Sequence, residues 1–124
     1  MVEHISAVIV VSNQAPAVAA FYRDKLGIPL EGEQHAGGGE ALHYGCTLGG
    51  LHFAVHPVEN WPYAAEVGPG GFRVALRISD AEASAAELRE LGQPFTGPVD
   101  EGWAKMSQLR DPDGNYVELV QRVA

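Results

Sequence analysis

A metal-dependent or acid–base site needs imidazoles and carboxylates on one surface. This sequence places four of its five histidines, His4, His43, His52 and His56, and one of its acids, Glu118, at spacings that strands would align. Imidazole with carboxylate is the donor set that suits a catalytic Zn, Ni, Mn or Fe ion. Glu118 belongs to the closing segment Leu109 to Gln121, LRDPDGNYVELVQ. In it Asp111-Pro112-Asp113-Gly114 has turn chemistry, with proline presetting one φ and glycine free to take a positive one. From Tyr116 the residues alternate, so Val117 and Leu119 point one way while Tyr116, Glu118 and Val120 point the other. The acid therefore stands on a sheet face where a plain strand would carry an apolar side chain.

The elements that must position these groups follow from local signals. Ile5 to Val11 is rich in β-branched residues and reads as a strand; Ser12-Asn13 then offers capping oxygens to a helix over Ala15 to Leu26, which Gly27 closes. Weaker strand character runs from Pro29 to Gln34. The segments Ala41 to Leu48 and Leu51 to His56 form a hairpin through Gly49-Gly50. After a Pro- and Gly-rich connector the programme restarts. Phe72 to Ile78 is a strand, Ser79-Asp80 caps a helix over Ala81 to Leu91, Gly92 ends it, and strands follow at Phe95 to Pro98, Trp103 to Leu109 and Asn115 to Gln121. The segment VVSNQAPAVAAFYRDKLG is echoed by RISDAEASAAELRELG, an internal duplication of about 60 residues. This organises residues 1–124 as a single domain with a first module over 1–57, a connector over 58–70 and a second module over 71–124.

Parity assigns faces. Phe72, Val74, Leu76 and Ile78 pack on the helices, leaving Arg73, Ala75 and Arg77 on a concave face. Leu51, Phe53 and Val55 pack likewise, leaving His52, Ala54 and His56, with His43, Gly45 and Thr47 opposite them across the hairpin. In the first strand Ile5, Ala7, Ile9 and Val11 are expected to pack inward, with His4 and Ser6 on the concave face. The bland alternative for each histidine is a solvated or hydrogen-bonded side chain that holds nothing. Cys46 falls on the helix-packed face and reads as a buried inert thiol.

Composition narrows the function classes. The length of 124 residues suits one compact domain without metal or disulfide staples, and a formal charge of −8 argues against nucleic acid or anionic membrane as partner. The lone Cys46 permits no intrachain disulfide. Together with the absence of a leader or a bilayer-length apolar run, that points to the cytoplasm.

The FYRDKLG segment after the first strand, the doubled βαβββ order and DPDGNYVEL near the end resemble the vicinal oxygen chelate superfamily. That group includes glyoxalase I, bleomycin-resistance proteins, fosfomycin-resistance enzymes and extradiol dioxygenases. The resemblance implies an α+β fold in which two paired βαβββ modules form a curved mixed sheet, with an internal cleft and helices outside, and a homodimer. In metal-dependent relatives a ligand, usually His, comes from the first strand of each module and an acid from the last strand of the second. Here the matching positions are Ser6, Arg73 and Glu118, so only the acid is kept, and Arg73 would repel an ion and pair with Glu118 instead.

Two functions follow as expectations. The first is a small-molecule-binding protein of the bleomycin-resistance kind without the His/His/Glu metal site, in which Ser6, His52, Arg73, Trp103, Tyr116 and Glu118 contact an organic ligand in the cleft. The second is a divalent-metal-dependent lyase, isomerase or dioxygenase acting on vicinal oxygens, with Glu118 catalytic and His4, His52 and Glu118 as ligands, or His43 and His56 as a secondary pair. A cofactor-free role for Glu118 as a general base ranks behind both. Trp61 and Tyr63 in the connector are additional stacking candidates or simply packing residues.

Overall fold

The computed structural model describes residues 1, 3, 5, 7–33, 43–60 and 73–123. His4, Ser6, Trp61, Tyr63 and Phe72 lie outside these described residues. The chain is α+β and divides into two compact units, Met1–Gly68 and Pro69–Ala124. Each unit has the order βαβββ and builds one four-stranded mixed sheet.

The first unit comprises β1 (Ala7–Ser12), α1 (Ala15–Ala20), β2 (Glu31–Glu33), β3 (His43–Leu48) and β4 (Leu51–Pro57), in the sheet order β1-β4-β3-β2. β1 and β4 are parallel and the other pairs antiparallel. The helix is shorter than the sequence suggests: Phe21–Lys25 continues it as a wider turn with i→i+5 bonding. That turn buries the adjacent rings of Phe21 and Tyr22, and Tyr22 packs edge-on to Phe53 at 5.3 Å. Gly27, at φ +72°, reverses the chain. A further short turn spans Val58–Asn60.

The second unit comprises β5 (Arg73–Arg77), α2 (Ala81–Glu90), β6 (Thr96–Asp100), β7 (Ala104–Arg110) and β8 (Tyr116–Arg122), in the order β5-β8-β7-β6. Asp80 caps α2 by accepting from the Ala83 N–H at 3.0 Å. Ala81, Ala85 and Leu88 are buried on α2, which packs against β6, β7 and β8, as are Leu109, Val117 and Leu119 on the last two of those strands. Val117 and Leu119 thus pack as their parity predicts.

β1 corrects the sequence reading. Its register pairs Ala7 with His52, Ile9 with Ala54 and Val11 with His56, which puts Ala7, Ile9 and Val11 on the histidine face. Val10 and Ser12 are the buried residues, at 3% and 0% exposure, whereas Ile9 is 38% exposed and Ile5 72%. The reason is physical. AVIVV is apolar at every position, as expected of a strand in parallel pairing, so alternation has no sign to read. Ser12 is buried because its hydroxyl is satisfied, accepting from the Gln14 N–H at 2.9 Å.

Candidate functional site

On the face of the second sheet opposite α2, cross-strand register arranges side chains in rows. Arg73, Tyr116 and Arg110 form one row, Ala75, Glu118 and Gln108 the next, and Arg77, Val120 and Met106 a third. Arg73 Nη1 donates to Glu118 Oε1 at 2.7 Å. Both Arg73 and Arg110 lie over the Tyr116 ring, at 4.8 and 4.3 Å from its centroid, and Arg110 also donates to the Tyr116 hydroxyl. The expected ligand-stacking ring is thus already covered by guanidinium groups, in contacts worth about 0.5–2 kcal/mol each.

The start of β8 is held by Asp111. Its buried carboxylate accepts from the N–H groups of Asp113 and Asn115 at 2.9 and 2.8 Å, and from Asn115 Nδ2 at 3.1 Å. Gly114, at φ +83°, completes the turn. Asp111 therefore sets the register that lands Tyr116 and Glu118 beside β5, a positioning role foreshadowed only as turn chemistry in the sequence.

The first sheet carries a different set. His43 is 5% exposed and its ring stacks on His56 at 4.2 Å. Glu33 of β2, which sequence reading did not single out, places Oε1 3.2 Å from His43 Nε2 and 3.8 Å from His52 Nε2. Its carboxylate lies over Gly45, where a Cβ would come within 2.2 Å of Oε1 and 2.9 Å of His52 Cε1. The missing side chain makes the space this acid occupies. The only advance signal was a glycine between His43 and Thr47.

One expected grouping does not form within the second unit. Trp103 is 52% exposed, with Arg122 5.8 Å from its ring, at the opposite end of β7 from Arg110. That places it a strand length, on the order of 20 Å, from the Tyr116 row. Of the metal candidates, His4 lies outside the described residues, His52 stands on β4 and Glu118 on β8. Among the described residues no three His, Cys, Asp or Glu groups are arranged to hold a metal ion. Cys46 pairs with Phe53 as parity suggests, yet it is only half-buried; burial first, then the nearby acids Glu33 and Glu31, push its thiol pKa up.

Register gives Arg73 a counterpart among the described residues of the first unit. Arg73 stands seven residues before the α2 cap Asp80 and pairs with β8; Ala7 stands seven before the α1 cap Gln14 and pairs with β4 in the same sense. Ala7 is therefore the counterpart of Arg73, and it has no donor atom.

The profile of the glyoxalase/bleomycin resistance protein/dioxygenase superfamily matches residues 2–119. The chain belongs to this superfamily. A lactoylglutathione lyase of Pseudomonas aeruginosa is 35% identical over 54 residues, which is 43% of this chain and 31% of that protein. The alignment thus spans less than a third of that relative's length. Among solved structures, a virulence protein from Salmonella typhimurium superposes with TM-score 0.77 at 21% identity, covering 99% of each chain. An antibiotic-binding protein from a Streptomyces species superposes with TM-score 0.70 at 23% identity, covering 98% of each. At these identities the structural matches establish the shared fold. Membership in the glyoxalase superfamily makes the first strand of each unit and the last strand of the second the places to test for metal ligands. The residues here do not fit: Ala7 offers nothing, Arg73 is a fixed cation, and Glu118 is bonded to it. No helix among the described residues is long and apolar enough to cross a membrane.

Proposed function

We propose that the protein binds a small organic molecule on the sheet face that carries Arg73, Tyr116 and Glu118, without the His/His/Glu metal site of its metal-dependent relatives. The observation that carries this reading is the 2.7 Å Arg73–Glu118 ion pair, half of it contributed by a cation at a position where those relatives place a ligand. A guanidinium there opposes a divalent ion by direct repulsion and satisfies the acid that would have bound it. The same groups suit an organic ligand, because guanidinium N–H, carboxylate and phenol offer donors and acceptors along one face. The antibiotic-binding relative supports a binding role within this fold. In this reading Glu118 orients a ligand rather than catalysing, and the protein is a cytoplasmic homodimer.

The partial match to a lactoylglutathione lyase favours a second reading, a divalent-metal-dependent lyase, isomerase or dioxygenase. It requires Glu118 to leave Arg73. Metal analysis of untagged protein, followed by titration with Zn, Ni, Mn and Fe, separates the two. The expected result is no stoichiometric metal. One ion per chain, lost in Glu118→Gln, would overturn the binding-only reading.

A further inference from the structure

The protein carries eight basic residues against sixteen acidic ones, yet its positive charge is not spread evenly. Four of its six arginines, Arg73, Arg77, Arg110 and Arg122, share the face of the second sheet opposite α2, because each falls on the same alternation of β5, β7 or β8. On those three strands that face holds one carboxylate, Glu118. A patch three charges positive in a protein of formal charge −8 is a local reversal of the molecule's field.

The four cations fall into two pairs at opposite ends of the face. Arg73 and Arg110 are committed to Tyr116 and Glu118. Arg77 and Arg122 are not. Both line an open depression of about 470 Å³, together with Ile78, Ser79 and Gln121. Among the described residues the Arg77 side chain has no ion-pair or hydrogen-bond partner, and the Arg122 side chain has only the Trp103 ring beside it. Gln121 is fixed from below, its Oε1 accepting from the Ala81 N–H at 2.7 Å.

We infer that this depression is an anion site, taking the carboxylate or phosphate group of a small organic ligand. The chemistry is that of two guanidinium forks, each able to bind an oxyanion through paired N–H donors, with the Ser79 hydroxyl as a further donor. The site lies about 13 Å along β5 from the Arg73 row at the usual strand rise. A ligand bridging both would present an anionic end here and its remaining polar groups to Tyr116 and Glu118. This assignment of ligand class rests on the small-molecule-binding reading above; the depression itself can be tested without the ligand.

The test is amide chemical-shift titration with inorganic phosphate and, separately, succinate, at constant ionic strength so that general screening does not change. Saturable shifts centred on Arg77, Ser79, Gln121 and Arg122 are expected. Arg77→Gln and Arg122→Gln should each weaken binding by about tenfold or more, in line with charge-assisted hydrogen bonds. Arg23→Gln, the same charge change on an exposed arginine of the first unit, should leave it unaltered. Arg77→Lys, which keeps the charge and loses the fork, should fall between and guards against a misfolded glutamine variant. Tighter binding of phosphate assigns a phosphate-bearing ligand, and tighter binding of succinate a carboxylate. Shifts that never saturate, or equal losses in Arg23→Gln and Arg77→Gln, would overturn the site. An organic ligand binding equally well to wild type and Arg77→Gln would overturn the anion assignment while leaving the binding function intact.

Discussion

The two units share one plan and differ almost completely in what they display. Row by row, Ala7, His52 and Thr47 in the first occupy the places of Arg73, Tyr116 and Arg110 in the second. Ile9, Ala54 and Gly45 answer to Ala75, Glu118 and Gln108. One sheet face became imidazole with an acid borrowed from β2; the other became guanidinium with an acid of its own. At the matching first-strand position the first unit carries Ala7 and the second Arg73, neither of them a usual metal ligand. Duplication preserves what the backbone requires, while each side-chain face is free to change because few backbone contacts depend on it.

The turns before the last strand of each unit provide the largest expected contrast. The β3–β4 turn is built from backbone freedom, with Gly49 and Gly50 at φ +60° and +82°, whereas the β7–β8 turn is built from the buried Asp111 side chain. Asp111→Ala removes three accepted hydrogen bonds and should cost about 2–4 kcal/mol in denaturant unfolding. Gly50→Ala strains one positive-φ residue and should cost about 1–2 kcal/mol. Equal costs would erase the distinction.

A smaller contrast tests the faces. Gly45→Ala places a methyl group in the space of the Glu33 carboxylate, so the His43–Glu33 contact should break, with a stability loss of about 1 kcal/mol and a shifted His43 ring signal. Alanine at its counterpart Gln108, on the half-buried second face, should stay within about 0.5 kcal/mol.

The smallest effect concerns Cys46, which only the first unit has. Its raised pKa means the folded thiol holds its proton more tightly than the unfolded one. The stability this contributes is present below the unfolded thiol pKa and is lost as pH rises through the higher folded value. Alkylation by iodoacetamide should therefore turn on at higher pH in the folded protein than in urea; coincident profiles would show a thiol that burial does not perturb.

Much of the fold was legible because its signals are local. Gly27 and Gly92 end their helices, Asp80 caps α2, and Gly49-Gly50 joins a hairpin, each acting on residues within a few positions. The faces of β4, β5 and β8 were legible because polar and apolar residues alternate there. β1 was not, since an unbroken apolar run hides its parity. Among side-chain contacts, the pairing of Arg73 with Glu118 was legible from strand parity, and those of Arg110 and Glu33 were obscure. Arg110 was hidden because a register across a turn decides what it touches, and Glu33 because its role depends on a glycine twelve residues away.

The sequence by itself determined the elements, their duplication and the family, since caps, turns and alternation need only neighbouring residues to act. Tertiary structure decided the chemistry. Glu118 meets Arg73 across 45 residues of chain, and Glu33 meets two histidines over the gap left by Gly45. Which charge an acid faces depends on strand order and register, and those are settled only when non-local pairing brings distant strands together.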